Sequence, residues 1–292
     1  MKILNFVKPE NGLVHDPLYY LGFEKFEDVG RDCYLMTAAL YNEIASGKYD
    51  DKEKVALTLE EPNFYMPGPH MQMYEHADTV LTICPYTARL FPDQSIPVFF
   101  PFDADYIPEE REKTIAVSYF GSMPSVVPWH EYIGVMSTFE YRYGHYNAGN
   151  MRGCTYEEKL NALSASKMSL VHGLCNVNEG SIAQYRSGLR AEENYAFSHL
   201  EEGFLPQIKS RMFESAFSKS MMLCQRDPFN VIEHFFEPGK EFIYFNDKRD
   251  LLDKIVMTMN NEAMRKEIAE AAYNRAIENY TTQHFVEQFL CK

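Results

Sequence analysis

The chain has 292 residues, 46% hydrophobic and 14% aromatic, with a formal charge of −14. That composition supports packed cores and excludes a disordered chain. The acidic balance argues against nucleic-acid or anionic-membrane binding, whose phosphate contacts are built from Lys and Arg. The charge is uneven, with 8 Lys and Arg against 19 Asp and Glu up to residue 110, and 20 against 23 beyond it. No apolar run approaches the roughly 20 residues that cross a bilayer, and the start MKILNFVKPENG lacks a secretory apolar core. The six cysteines contain no CxxC pair and the nine histidines are not grouped at ligand spacing. A cytoplasmic protein with reduced thiols and no structural zinc is the reading.

Residues 2–7 (KILNFV) read as a first buried strand, followed by a turn-rich loop holding His15 and Asp16. Residues 31–46 carry a helical pattern that ends near Gly47. KVALTLEEP (54–62) is a second strand, stopped by Pro62, and residues 70–78 a short helix. TVLTICP (79–85) is a third strand and IPVFFPF (96–102) a fourth apolar segment broken by prolines.

A second series opens at TIAVSYFGS (114–122), a strand entering a glycine turn. Helices follow at 129–140 and 156–166, then a strand at 167–176, a helix from Pro206, and strands at 221–224 and 241–245. Residues 248–259 and 261–279 are amphipathic helices, and 282–290 a last short one. Strands alternating with helices predict an α/β protein with parallel sheets. The simplest organisation is two Rossmann-like units that meet near residues 103–113.

The richest stretch is 203–245, GFLPQIKSRMFESAFSKSMMLCQRDPFNVIEHFFEPGKEFIYF. Pro206 suits a helix first turn, where a missing N–H costs nothing. Free amides at such a helix start favour an anion. Lys209 and Arg211 follow closely, Arg suited to bidentate phosphate contact and Lys to a point-charge contact. Glu214 lies beside the apolar stripe of Met212, Phe213, Ala216 and Phe217, where a carboxylate needs a partner. A ribose diol would supply two donors; alternatively, Arg211 and Glu214 form an i,i+3 salt bridge with only a structural role.

The "LPQIK-R-FE" run resembles the donor half of GT-B glycosyltransferases of the glycosyltransferase group 1 family, most closely the CgeB-like group. The resemblance covers the C-terminal half. It implies two Rossmann-like domains of GT-B type with a cleft between them: 1–108 for the acceptor, 109–281 for the nucleotide sugar, and 282–292 returning to the first domain. It also implies diphosphate contacts from Lys209 and Arg211 and a ribose contact from Glu214. YFGS (119–122) resembles the glycine turn whose amides face the diphosphate, here Gly121 and Ser122. PFDADYIP (101–108) resembles the interdomain linker. The implied reaction is a metal-independent, retaining sugar transfer with the nucleotide sugar as co-substrate, no other cofactor, and an unidentified acceptor. The second glutamate expected eight residues before Glu214 is absent; Pro206 stands there.

His15 and Glu61 are the candidate catalytic groups on the acceptor side. The first sits in a strand-following loop with a pKa suited to proton transfer. The second, with Glu60, ends a strand where α/β proteins carry ligand groups. Asp103-Ala104-Asp105 offers an alternative, a metal-dependent GT-A site built on hard oxygen ligands. A sugar-nucleotide-binding protein without turnover is the non-enzymatic alternative, and an NAD(P) protein lacks the required GxGxxG turn. His130 beside Trp129 and the loop around Tyr141, Tyr143, His145 and Tyr146 are further cleft candidates, whereas His172 reads as a core residue.

Overall fold

The computed structural model describes residues 1–3, 22, 25–26, 29–36, 46–58, 75–89, 92–121, 129–144, 154–187 and 195–291. Within them each half of the chain builds a five-stranded parallel sheet. The first contains β1 (Lys2–Ile3), β2 (Cys33–Met36), β3 (Glu53–Thr58), β4 (Thr79–Thr82) and β5 (Ser95–Pro97), side by side in chain order. Helix α1 (Pro85–Ala88) follows β4.

β2 corrects the helix expected over 31–46. All four residues of CYLM are buried, as on a parallel strand covered on both faces. A short continuous apolar run of this kind carries no periodicity to separate strand from buried helix.

The second sheet begins with β6 (Ile115–Phe120), followed by α2 (Trp129–Met136), β7 (Tyr141–Gly144), α3 (Tyr156–Ser164) and β8 (Ser166–Val171). Next come β9 (Leu174–Asn176), α4 (Glu179–Arg186), β10 (Phe204–Pro206), α5 (Arg211–Phe217), β11 (Met221–Gln225) and β12 (Phe242–Phe245). Helices α6 (Lys248–Asn260), α7 (Glu262–Asn279) and α8 (Thr282–Phe285) close the chain. The spatial order is β12-β11-β8-β6-β7. Polar side chains start the helices: Thr155 and Glu158 form a capping box on α3, while Asp247, Asn261 and Thr281 cap α6, α7 and α8.

Two further expectations change. The segment at 141–144, expected as a loop, is an edge strand paired with Val117–Phe120. Pro206 does not open a helix; it ends β10, which pairs antiparallel with β9, and α5 starts only at Arg211. An edge strand tolerates proline because the missing N–H is not needed there.

Aromatic packing joins the halves. Phe102 stacks on Phe217 of α5 with ring centroids 4.8 Å apart. Phe102 also exchanges backbone hydrogen bonds with the end of α7 and the start of α8, accepting from Thr282 N at 2.9 Å and donating to Tyr280 O at 3.3 Å. Phe285 of α8 then stacks on Phe26 at 5.5 Å and meets Phe99 edge-on at 5.6 Å. Each such ring pair adds about 0.5–1.5 kcal/mol beyond its buried area.

Candidate functional site

The second sheet reverses direction once. β7 lies on one side of β6, and β8 on the other. Open parallel sheets bind ligands outside the carboxyl ends of the strands at such a switch point. Here β6 runs out into Gly121, and β8 into His172 and Gly173.

The side chains at that point form one hydrogen-bonded chain. Arg211, the first residue of α5, donates from Nη1 to Tyr119 Oη at 3.0 Å. Tyr119 Oη lies 3.2 Å from His172 Nε2, and His172 Nδ1 lies 2.8 Å from Leu174 O. A carbonyl only accepts, so Nδ1 carries the proton and Nε2 accepts from the tyrosine hydroxyl. Burial and the nearby Arg211 charge hold the His172 pKa well below its ordinary value, so the imidazole is neutral. Trp129 covers both rings, with centroids 4.9 Å from Tyr119 and 4.5 Å from His172.

Gly121 makes room for the guanidinium. Its φ is +156°, and a Cβ there would lie 2.9 Å from Arg211 Nη2 and 3.1 Å from Tyr119 Oη. Lys209, two residues before α5, is half-buried, and its charge acts on both His172 and Cys175. The charges of Arg211 and Lys209 thus both act on His172, where the two strands part.

Glu214 turns away from them. It is fully buried, with Oε2 2.6 Å from Lys159 Nζ and Oε1 accepting from the Tyr156 hydroxyl, both on α3. The carboxylate expected to await a ribose thus already has a hydroxyl donor in Tyr156 and a buried counter-ion in Lys159, and the i,i+3 pairing with Arg211 is not made. Gly121 and Arg211 lie against each other, and the Lys209 charge acts on the adjoining His172; Glu214 anchors the other side of the same short helix. His15, Glu61 and Ser122 lie outside the described residues, as do Glu60, His145 and Tyr146. His130 is exposed on α2.

Asp103 and Asp105 are engaged elsewhere. Lys25 Nζ lies 2.6 Å from Asp103 Oδ1 and 2.8 Å from Asp105 Oδ2. Asp103 Oδ1 also accepts from Asp105 N at 3.1 Å, capping a single turn at 104–106. The pair is thereby a turn cap with its own counter-ion, an arrangement that does not favour the GT-A alternative. No group of three or more His, Cys, Asp or Glu with metal-binding geometry occurs among the described residues.

Tyr119, Trp129 and His172 escape a motif search because no spacing rule links them. One signal was available: His172-Gly173 directly follows an apolar strand, the position where parallel sheets carry ligand groups.

Residues 109–291 match the model of a family described as glycosyl transferase-like. The chain belongs to that family. No curated protein matches it. Among solved structures, this family member is similar to S. aureus TarM, with a TM-score of 0.58 and 11% identity over 92% of this chain and 57% of TarM. It is also similar to Anabaena HepE in complex with UDP and glucose, with a TM-score of 0.56 and 10% identity over 88% of this chain and 76% of HepE. A glycosyltransferase from Rickettsia africae gives a TM-score of 0.54 and 10% identity over 98% of this chain and 82% of that one. The likeness shows the fold, two Rossmann-like units of the GT-B type; the family member spans little more than half the length of TarM. No helix among its described residues is long and apolar enough to cross a membrane.

Proposed function

We propose that the chain is a CgeB-like glycosyltransferase that moves a sugar from a nucleotide-sugar donor to an acceptor hydroxyl. The single observation that carries this reading is the placement of the Arg211 guanidinium against the Gly121 turn at the switch point of the second sheet, with the Lys209 charge acting on the adjoining His172. Residues 109–281 bind the donor and residues 1–108 the acceptor. HepE was solved in complex with UDP and glucose, which makes a uridine nucleotide the first donor class to test.

In the transfer, the bond between the sugar anomeric carbon and the diphosphate oxygen breaks and its electron pair leaves with the diphosphate. The acceptor oxygen bonds to the anomeric carbon and loses its proton. Arg211 and Lys209 stabilise the charge growing on the leaving oxygen; the Gly121 N–H, expected to face the diphosphate, is instead donated to Gly144 O at 3.0 Å. Arg211 is suited to two parallel bonds and Lys209 to one. His15 or Glu61 takes the acceptor proton. In this reading the cations do the work of a metal, the donor is the only co-substrate, and the anomeric configuration is retained. Glu214 reaches a ribose only by exchanging Tyr156 or Lys159 for its hydroxyls; otherwise it serves the site by fixing α5.

The experiment is transfer assayed with UDP-, GDP-, ADP- and dTDP-sugars in excess EDTA, with release of the nucleoside diphosphate as readout. Release from one donor class by the wild type, lost in Arg211→Ala, is expected. Strict dependence on a divalent metal would contradict the reading. Tight donor binding with no release to any acceptor would favour a sugar-nucleotide-binding protein.

A further inference from the structure

We propose that Tyr119 and His172 are positioning residues that hold Arg211 in place without neutralising it, leaving its whole charge for a diphosphate. The inference rests on the functional reading above and adds how the site keeps its cation usable.

A carboxylate fixes an arginine with strong, directed bonds, but it also cancels much of its charge. Four described cations of the first half show that pattern, whereas Arg89 and Lys48 lie over tyrosine rings. Arg31 is held by Glu53, Lys52 by Asp32, Lys54 by Asp50, and Lys25 by Asp103 and Asp105. Arg211 has an acid three residues ahead, yet Glu214 is taken by Lys159 and Tyr156. Its fixed partner is instead a neutral phenol.

That phenol is oriented by the rest of the chain. Leu174 O fixes the proton on His172 Nδ1, and Nε2 is left as an acceptor that draws the Tyr119 O–H toward it. The lone pairs of Tyr119 Oη then face Arg211 Nη1. A protonated imidazole would reverse the phenol and put a second positive charge beside the guanidinium. Burial of His172 at 3% exposure, beside Arg211 and Lys209, keeps it neutral. Trp129 closes the rings off, and Gly121 lacks the Cβ that would push the guanidinium out. Each member has a defined part: Leu174 sets the tautomer, His172 sets the phenol, and Tyr119 sets the arginine.

The test is a calorimetric double-mutant cycle with UDP and uridine as probes, on wild type, Tyr119→Phe, Arg211→Ala and the double variant. The expected result is a loss of about tenfold in UDP affinity for Tyr119→Phe, in line with one hydrogen bond that fixes a charged group. Uridine binding stays unchanged, and the double variant is no weaker than Arg211→Ala alone. For the histidine, His172→Asn keeps a donor to Leu174 O but removes the acceptor, so UDP affinity falls; His172→Gln, which restores an acceptor near the Nε2 position, recovers part of it. Nitrogen NMR of His172 independently reads the Nδ1–H neutral tautomer. UDP affinity unchanged in Tyr119→Phe, additive losses in the double variant, or an Nε2–H tautomer would each overturn the inference while leaving the functional reading in place. A folded wild type that binds neither UDP nor inorganic diphosphate would overturn both.

Discussion

The two sheets of this protein are both parallel and both five-stranded, yet they handle charge differently. In the first, described strands follow one another in chain order with no reversal, and Lys25, Arg31, Lys52 and Lys54 around them are held by carboxylates. In the second, the order reverses between β6 and β8, and at the reversal stand Arg211, held by a phenol, and Lys209. Net charge would not have located this point, since the whole chain is acidic. What marks it is a cation at a topological break whose neighbouring acid has been drawn away by another base.

That division of labour on α5 can be broken from either side. Glu214→Ala leaves the Lys159 ammonium buried without its partner. Loss of one member of a buried pair costs about 3–5 kcal/mol, so chemical denaturation should show a large stability loss. Glu214→Ala/Lys159→Met, which removes both charges, should regain most of it. Failure of that rescue would separate Glu214 from Lys159.

Arg211→Ala should do the opposite. It leaves stability within about 1 kcal/mol, because Arg211 is half-exposed and makes one hydrogen bond to a neutral group. It lowers UDP affinity by about 2–3 kcal/mol, the worth of a charged bidentate contact. Gly121→Ala sharpens the same contrast. Its Cβ would stand 2.9 Å from Arg211 Nη2, so UDP affinity should fall although no charge has been removed.

A smaller effect involves Asp227, buried in the loop after β11. Burial pushes its carboxyl up to about 6, partly offset by the backbone N–H groups of Phe229 and Val231. The folded pKa lies above the unfolded value, so between about pH 4 and pH 6 the native state binds the extra proton and stability falls as pH rises. The slope flattens above pH 6, after a total of about 2–3 kcal/mol. Asp227→Asn should remove this component from the stability–pH curve. His172 acts with the reverse sign. Its depressed pKa contributes stability above about pH 6.5 that is lost on acidification, because the unfolded imidazole takes up a proton that the buried one refuses. The smallest expected effect is Lys248→Met, whose pair with Glu131 is exposed, so that its loss costs under about 1 kcal/mol.

Much of the architecture was legible. The apolar runs at 115–120, 221–225 and 242–245 and the long amphipathic helices after residue 247 appear close to where patterning put them. The misses have physical causes. CYLM is short and buried on both faces, so it lacked the alternation that would have marked a strand. Pro206 satisfied a rule for helix starts, but an antiparallel pairing with β9 had a use for the same residue at a strand edge. Of the site, the cations and Gly121 were visible because phosphate chemistry has a residue signature. The fate of Glu214 was not, because its partner Lys159 is 55 residues away in sequence and no local spacing could rank it above Arg211. The Tyr119–His172 chain was hidden for the same reason.

The most direct test of the account is a crystal structure of the protein with UDP. The account predicts diphosphate oxygens at hydrogen-bonding distance, about 3 Å, from the Arg211 guanidinium beside Gly121, with Tyr119 still on Nη1. A diphosphate bound instead at Asp103 and Asp105 through a metal, or one in contact with neither Arg211 nor Lys209, would contradict it.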